Sequence, residues 1–220
     1  MNLISLFLLF APTIFALDII QIDVGNSINF DGVLQMPAND VVIKSMHGTH
    51  MASALEDELK IQKSKPVKAI QLYWDYYGQS RWSLLKALRT ALAARPRVLS
   101  LSFGGGVRDP FEEALLNLHA KADVVIVAAA GNEGGVGPYY PANYRNNCLL
   151  SVGTTHNGKQ VSYSNPAAVY LEYNQMDPSG TSASTARMAG IVLQLRRNHP
   201  EFSCDKIVLT AKMLYGKLYP

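Results

Sequence analysis

Asp23, His47 and Ser182 supply the three side-chain types that acyl transfer needs, each from a separate segment of the chain. Asp23 closes an apolar run, His47 opens HGTHMAS, and Ser182 stands in GTSAST. A serine hydroxyl is a weak nucleophile at neutral pH. It needs an imidazole to take its proton, and that imidazole needs a carboxylate on its other nitrogen to hold the productive tautomer. Asn132, in AAAGNEG directly after the run VVIVAAA, adds a side-chain amide that would project from a strand end. Attack on a carbonyl leaves negative charge on its oxygen, which a fixed amide and the Ser182 backbone N–H could stabilise together.

The surrounding segments alternate in a way that can position such groups. Leu17–Asp23, Val67–Tyr73, Val98–Phe103 and Val124–Ala130 read as strands. Leu84, Leu85, Leu88 and Leu92 recur at helical spacing, and Asp109-Pro110 followed by Glu112 and Glu113 reads as a capped helix start. Further short strands are expected at Leu149–Val152, Gln160–Tyr163 and Val169–Tyr173, with helices near Thr185–Arg197 and from about Ser203 to Leu214. The pattern predicts an α/β fold with a mainly parallel central sheet flanked by helices. Each chemically suggestive motif falls at a strand end or a helix start, where side chains and backbone N–H groups converge.

Composition narrows the function class. A chain of 220 residues, 48% hydrophobic and 17% charged, suits one domain with a substantial core. Its net charge of +3 is spread over mixed charges without a long Lys/Arg run, which argues against nucleic acid as a partner. Residues 1–16 are apolar, too short to span a bilayer comfortably, and end in a small residue; they read as a signal peptide preceding a domain at 17–220. The expectation is export, with no stable membrane span. In an oxidising compartment Cys148 and Cys204 could pair, the alternative being two free, half-buried thiols; neither has CxxC spacing.

Other motifs carry less. His50 lacks an HExxH arrangement and reads as structural, so no metal site is expected, and His119, His156 and His199 read as surface or loop residues. Gly104, Gly105 and Gly106 match neither common phosphate-loop pattern, and glycine is also needed where a substrate backbone approaches closely. Asp23-Val24-Gly25-Asn26-Ser27 resembles the first phosphate loop of actin-like kinases, a reading that leaves HGTH, AGNEG and GTS without explanation.

Taken in order, Asp-x-Gly at Asp23–Gly25, HGTH at His47–His50, AGNEG at Ala130–Gly134 and GTS at Gly180–Ser182 resemble the subtilisin-like serine peptidases. VLSLSFGG and YPANYRNNCLLSVGTT extend the resemblance between the motifs. It implies a three-layer subtilisin-like fold, a polypeptide substrate, a monomer and no cofactor. It further implies Asp23 as orienting acid, His47 as general base, Ser182 as nucleophile and Asn132 as oxyanion donor. Ser102, Phe103, Gly104 and Gly131 would lie along the substrate, which can pair as an added strand.

The sequence departs from the family pattern at Val24, where Ser or Thr is usual, and in ASTARMAG, where Ala186 and Arg187 replace Pro and His. No segment between Ala16 and the first strand resembles a pro-region, and no oxygen-ligand cluster suggests structural calcium. The alternative within the same fold is a catalytically silent module that binds peptides.

Overall fold

The computed structural model describes residues 17–23, 33–36, 47–63, 69–73, 81–172 and 180–216. The segment expected to be a signal peptide, residues 1–16, lies outside the described residues, as do Val24–Ser27 of the phosphate-loop resemblance. Among the described residues no helix is long and apolar enough to cross a membrane.

The chain runs β1 (Leu17–Asp23), β2 (Val33–Met36), α1 (His47–Ile61), β3 (Ala69–Tyr73), α2 (Arg81–Ala94), β4 (Pro96–Leu101), α3 (Pro110–Lys121) and β5 (Val125–Ala129). It continues through β6 (Leu149–His156), β7 (Lys159–Gln160), β8 (Val169–Glu172), α4 (Thr181–Asn198) and α5 (Cys204–Tyr215). The strands form one sheet in the order β2-β3-β1-β4-β5-β6, with β8 parallel and the short β7 antiparallel to β6. All other pairings are parallel.

Strand alternation sorts the core into two faces. Ile19, Val98, Val125, Val127, Leu150 and Val152 pack with α1, α4 and α5. Their neighbours Ile20, Ile22, Leu99, Leu101, Ile126 and Ala128 pack with α2 and α3 through Leu85, Leu88 and Leu116. Strands buried on both faces read as continuous apolar runs, as these do. The result is the expected three-layer α/β fold.

Strand order reverses between β1 and β4, because the chain builds β3 and β2 on one side of β1 and β4, β5 and β6 on the other. Parallel strands around such a switch point leave a crevice at their carboxyl ends. Asp23, Ser102 and Asn132 lie at or just beyond the carboxyl ends of β1, β4 and β5, three adjacent strands.

α3 starts as expected. The Asp109 carboxylate accepts the Phe111 N–H at 2.8 Å, Pro110 occupies the first turn, and Arg81 from α2 bonds the same carboxylate, Nη2 to Oδ1 at 2.7 Å. Burial alone would raise the Asp109 pKa, but Arg81 and the two backbone amides outweigh it and hold the carboxyl below its ordinary value.

Several boundaries differ from expectation. The helix expected near Thr185 begins at Thr181, so Ser182 lies in its first turn. The strand expected over Gln160–Tyr163 is confined to Lys159–Gln160, and α1 and β2 were not anticipated at all. α1 escaped notice because its inward face uses Met51, Ala52, Ala54 and Leu55, a stripe too rich in small residues to show as apolar periodicity.

His119 is a further correction: it is fully buried, not on the surface. It shares the inward stripe of α3 with Glu112 and Leu116, and its Nε2 meets the Leu88 carbonyl at 3.0 Å. Burial pushes its pKa down to about 4, against the opposing pull of that bond. Burial pushes Glu112 up to about 7, with Asp109 adding to the rise and the Tyr144 bond opposing it. The Tyr144 hydroxyl lies 2.9 Å from Glu112 Oε2 and 3.0 Å from the Asp109 carbonyl.

The two cysteines are joined. Cys148 and Cys204, with Cα atoms 5.1 Å apart, form a disulfide that ties the entry to β6 to the first residue of α5.

Candidate active site

Asp23 ends β1 fully buried, in register with Tyr73 of β3. His47 is the first residue of α1, and its Nδ1 lies 2.7 Å from Asp23 Oδ1. An ionised carboxylate only accepts hydrogen bonds, so beside it Nδ1 carries the proton and the basic lone pair falls on Nε2, the tautomer a general base requires.

Ser182 is buried in the first turn of α4. Its hydroxyl donates to the Ser102 carbonyl at 3.1 Å, while the Ser102 hydroxyl donates to the Ser182 carbonyl at 2.9 Å. This reciprocal pair pins the start of α4 to the end of β4. α4 is buried along most of its length, and small residues such as Ala183, Ala186, Ala189 and Gly190 let α1 and the sheet approach it closely. A Cβ at Gly190 would meet Glu58 Cγ of α1 at 3.3 Å. Glu58, itself buried, pairs with Arg187 of α4, Nε to Oε2 at 3.1 Å. The helices that open with His47 and Ser182 are thereby clamped together, and Arg187 finds its reason in a partner on α1.

Asn132 follows β5 by way of Gly131, whose φ of +103° is a conformation L side chains rarely adopt. The Asn132 Oδ1 accepts the Thr181 N–H at 3.1 Å and the Thr181 hydroxyl at 3.0 Å. Gly180 is required here on two counts: its φ is +55°, and a Cβ would stand 2.8 Å from Asn132 Oδ1.

Two residues of this site escaped the sequence reading. Thr181 orients Asn132, and GTS was its only signal. Asn165, buried, donates through Nδ2 to the Ala130 carbonyl at 3.0 Å and to Glu133 Oε2 at 2.8 Å, and its Oδ1 accepts the Gly135 N–H at 2.7 Å. It braces the loop that carries Asn132, and within YSNPAA nothing distinguishes it from a turn asparagine.

Of the other expected site residues, Phe103 and Gly104 continue from Ser102 along the same rim, half-buried, and Gly131 is buried beside Asn132. The contacts therefore join Asp23 to His47, Ser182 to Ser102, and Asn132 to the residue preceding Ser182. Among the described residues no group of three or more His, Cys, Asp or Glu side chains is placed to hold a metal ion.

The sequence model of the subtilase family, peptidase S8, matches residues 26–214. The chain belongs to the subtilase family. That match contains His47, Asn132 and Ser182 and begins after Asp23, so the subtilase motif alone does not reach the carboxylate.

Among subtilase relatives, subtilisin from Bacillus pumilus is 26% identical over 208 residues, covering 80% of this chain and 73% of that protein. The thermostable alkaline protease of Halalkalibacterium halodurans is 24% identical over 180 residues, covering 73% of this chain and 50% of its own length. Subtilisin E of Bacillus subtilis is 26% identical over 209 residues, 80% of this chain and 53% of the relative. The chain thus spans about half the length of several curated relatives it matches.

Solved protease structures share the fold. A cold adapted subtilisin-like serine proteinase superposes with a TM-score of 0.75 at 16% identity, covering 92% of this chain and 84% of the other. A protease from Pseudoalteromonas arctica gives 0.74 at 17% identity, covering 94% and 85%.

Proposed function

We propose that this subtilase is an exported serine endopeptidase in which Ser182 is the nucleophile, His47 the general base, Asp23 its orienting acid and Asn132 the oxyanion donor. The observation that carries the reading is the 2.7 Å contact between Asp23 and His47, on the same edge of the sheet as Ser182 and Asn132.

In this mechanism a polypeptide lies along Ser102, Phe103 and Gly104. Ser182 Oγ leaves the Ser102 carbonyl, passes its proton to His47 Nε2 and bonds to the scissile carbonyl carbon. The carbonyl π pair moves to oxygen, where Asn132 Nδ2, the Ser182 N–H and the positive end of α4 stabilise it. As the oxyanion collapses, the C–N bond breaks and His47 returns the proton to the departing nitrogen. Water then attacks the acyl-Ser182, giving its proton to His47 and releasing the acid and the free hydroxyl.

Export is supported by the Cys148–Cys204 disulfide, since such bonds persist in oxidising compartments.

A second reading, a peptide-binding module without turnover, draws on the Ser182 hydroxyl being donated to the Ser102 carbonyl. Labelling with a fluorophosphonate, beside Ser182→Ala and a casein digestion assay, separates the two. Covalent labelling lost in Ser182→Ala, with casein cleaved, supports the peptidase. Folded, unlabelled protein leaves the silent module.

A further inference from the structure

The peptidase reading leaves open which side chains the crevice admits beside the scissile bond. β4 and β5 are paired as far as Leu101 and Ala128, after which Ser102–Gly104 and Gly131–Asn132 continue as the two walls of a gap. Ser182 is tied to the first wall through Ser102, and Thr181 to the second through Asn132. On the peptidase reading, a scissile carbonyl held between Ser182 and Asn132 brings the side chain of its own residue to this gap.

The gap is occupied. A Cβ at Gly104 would lie 2.3 Å from Tyr139 Cε1, and one at Gly131 would lie 2.8 Å from Tyr139 Cδ1. One edge of a single aromatic ring rests against both walls. The ring is delivered by backbone pairing: the Gly105 N–H donates to the Tyr140 carbonyl at 2.8 Å and the Tyr140 N–H to the Gly105 carbonyl at 2.7 Å. The next residues hold this position, because the Tyr139 N–H donates to Asn143 Oδ1 at 3.3 Å and the Tyr140 ring packs on Tyr144 with centroids 4.8 Å apart. Glu133 comes close beside Gly131, where Asn165 holds its carboxylate at 2.8 Å.

Resting on the peptidase reading, we propose that Tyr139 is the floor of the pocket for the residue that contributes the scissile carbonyl, and that it limits this residue to glycine, alanine or serine. A long or aromatic side chain would have to displace a ring held by the Gly105–Tyr140 pairing. An acidic one would meet Glu133.

The test compares two peptidyl diphenyl phosphonates with the same upstream residues, one ending in the alanine analogue and one in the phenylalanine analogue. Second-order inactivation rates of the full chain are divided by each protein's own fluorophosphonate rate. The alanine compound should react faster on the order of 100-fold, as expected when a small pocket excludes a large group. In Tyr139→Gly the order should invert, while Tyr139→Phe should keep it, since ring bulk decides and not the hydroxyl. A parent protein that the fluorophosphonate labels, yet that reacts as fast with the phenylalanine compound, overturns the pocket assignment alone. If Tyr139→Gly fails to melt cooperatively, the parent's own rate ratio decides. No fluorophosphonate labelling removes the peptidase reading, and the pocket with it.

Discussion

The Asp23 carboxylate and the His47 imidazole meet at 2.7 Å, one at the buried end of a strand and the other at the first residue of a helix. Replacing Asp23 by Asn keeps the shape but lets the amide donate toward Nδ1, which then loses the reason to carry the proton. Turnover of a peptide ester should fall by about 10⁴-fold at neutral pH, a magnitude typical of related serine peptidases. Unchanged kcat in Asp23→Asn across several pH values would remove Asp23 from the site.

Thr181 tests how Asn132 is held. Thr181→Val deletes the 3.0 Å hydroxyl bond to Oδ1 and keeps the 3.1 Å backbone bond. Losing one hydrogen bond of about 1 kcal/mol should lower kcat by about 5-fold with little change in KM, and Thr181→Ser should restore it. An equal loss in the serine variant would mean that Thr181 acts through packing.

Arg187 should behave as half of a pair. Arg187→Met strands the buried Glu58, leaving it the Gln62 amide at 2.9 Å, and should cost about 3 kcal/mol in urea unfolding. The double variant Glu58→Gln/Arg187→Met should be more stable than Arg187→Met. Simple additivity of the two changes would show that the clamp between α1 and α4 is not ionic.

The disulfide encloses a sequence separation of 56 residues between two buried core positions. Constraint of the unfolded chain predicts a loss of about 4 kcal/mol in Cys148→Ala/Cys204→Ala. The parent with and without a reductant, compared by urea midpoint, checks it; coincident midpoints would contradict it.

Glu112 and His119 predict a pH profile with a hidden slope. With its pKa raised from 4.5 to about 7, folded Glu112 holds a proton that the unfolded chain releases, so its contribution to stability falls as pH rises between those values. With its pKa lowered from 6.5 to about 4, folded His119 is neutral where the unfolded chain is protonated, so its contribution rises with pH over that window. The two slopes oppose each other across pH 4.5–6.5, so the pair together adds little net slope there. Glu112→Gln should expose the His119 slope, a gain of at most roughly 1.4 kcal/mol per pH unit. Urea unfolding at four pH values reads it, and a flat profile in the variant would contradict it.

Strand runs, the Asp109-Pro110 cap and the ordered motifs around His47, Asn132 and Ser182 were legible because they rest on local signals: apolar runs, turn chemistry and glycines with a geometric duty. The four extra residues at the start of α4 were not, since Thr, Ser and Ala within a buried helix carry little periodicity and the helix is held by its neighbours. His119 was misread for the same reason: its inward position depends on the phase of α3 against the sheet.

The sequence by itself determined the fold class, the family and the residue types able to do acyl transfer, because each is written in short segments. Only the tertiary structure decided that Asp23 reaches His47, that Thr181 and Asn165 set Asn132, that Arg187 answers Glu58, that the cysteines are joined and that Tyr139 fills the gap between Gly104 and Gly131. These are contacts between segments distant in the chain, and their partners become neighbours only when parallel strands bring their carboxyl ends to one edge.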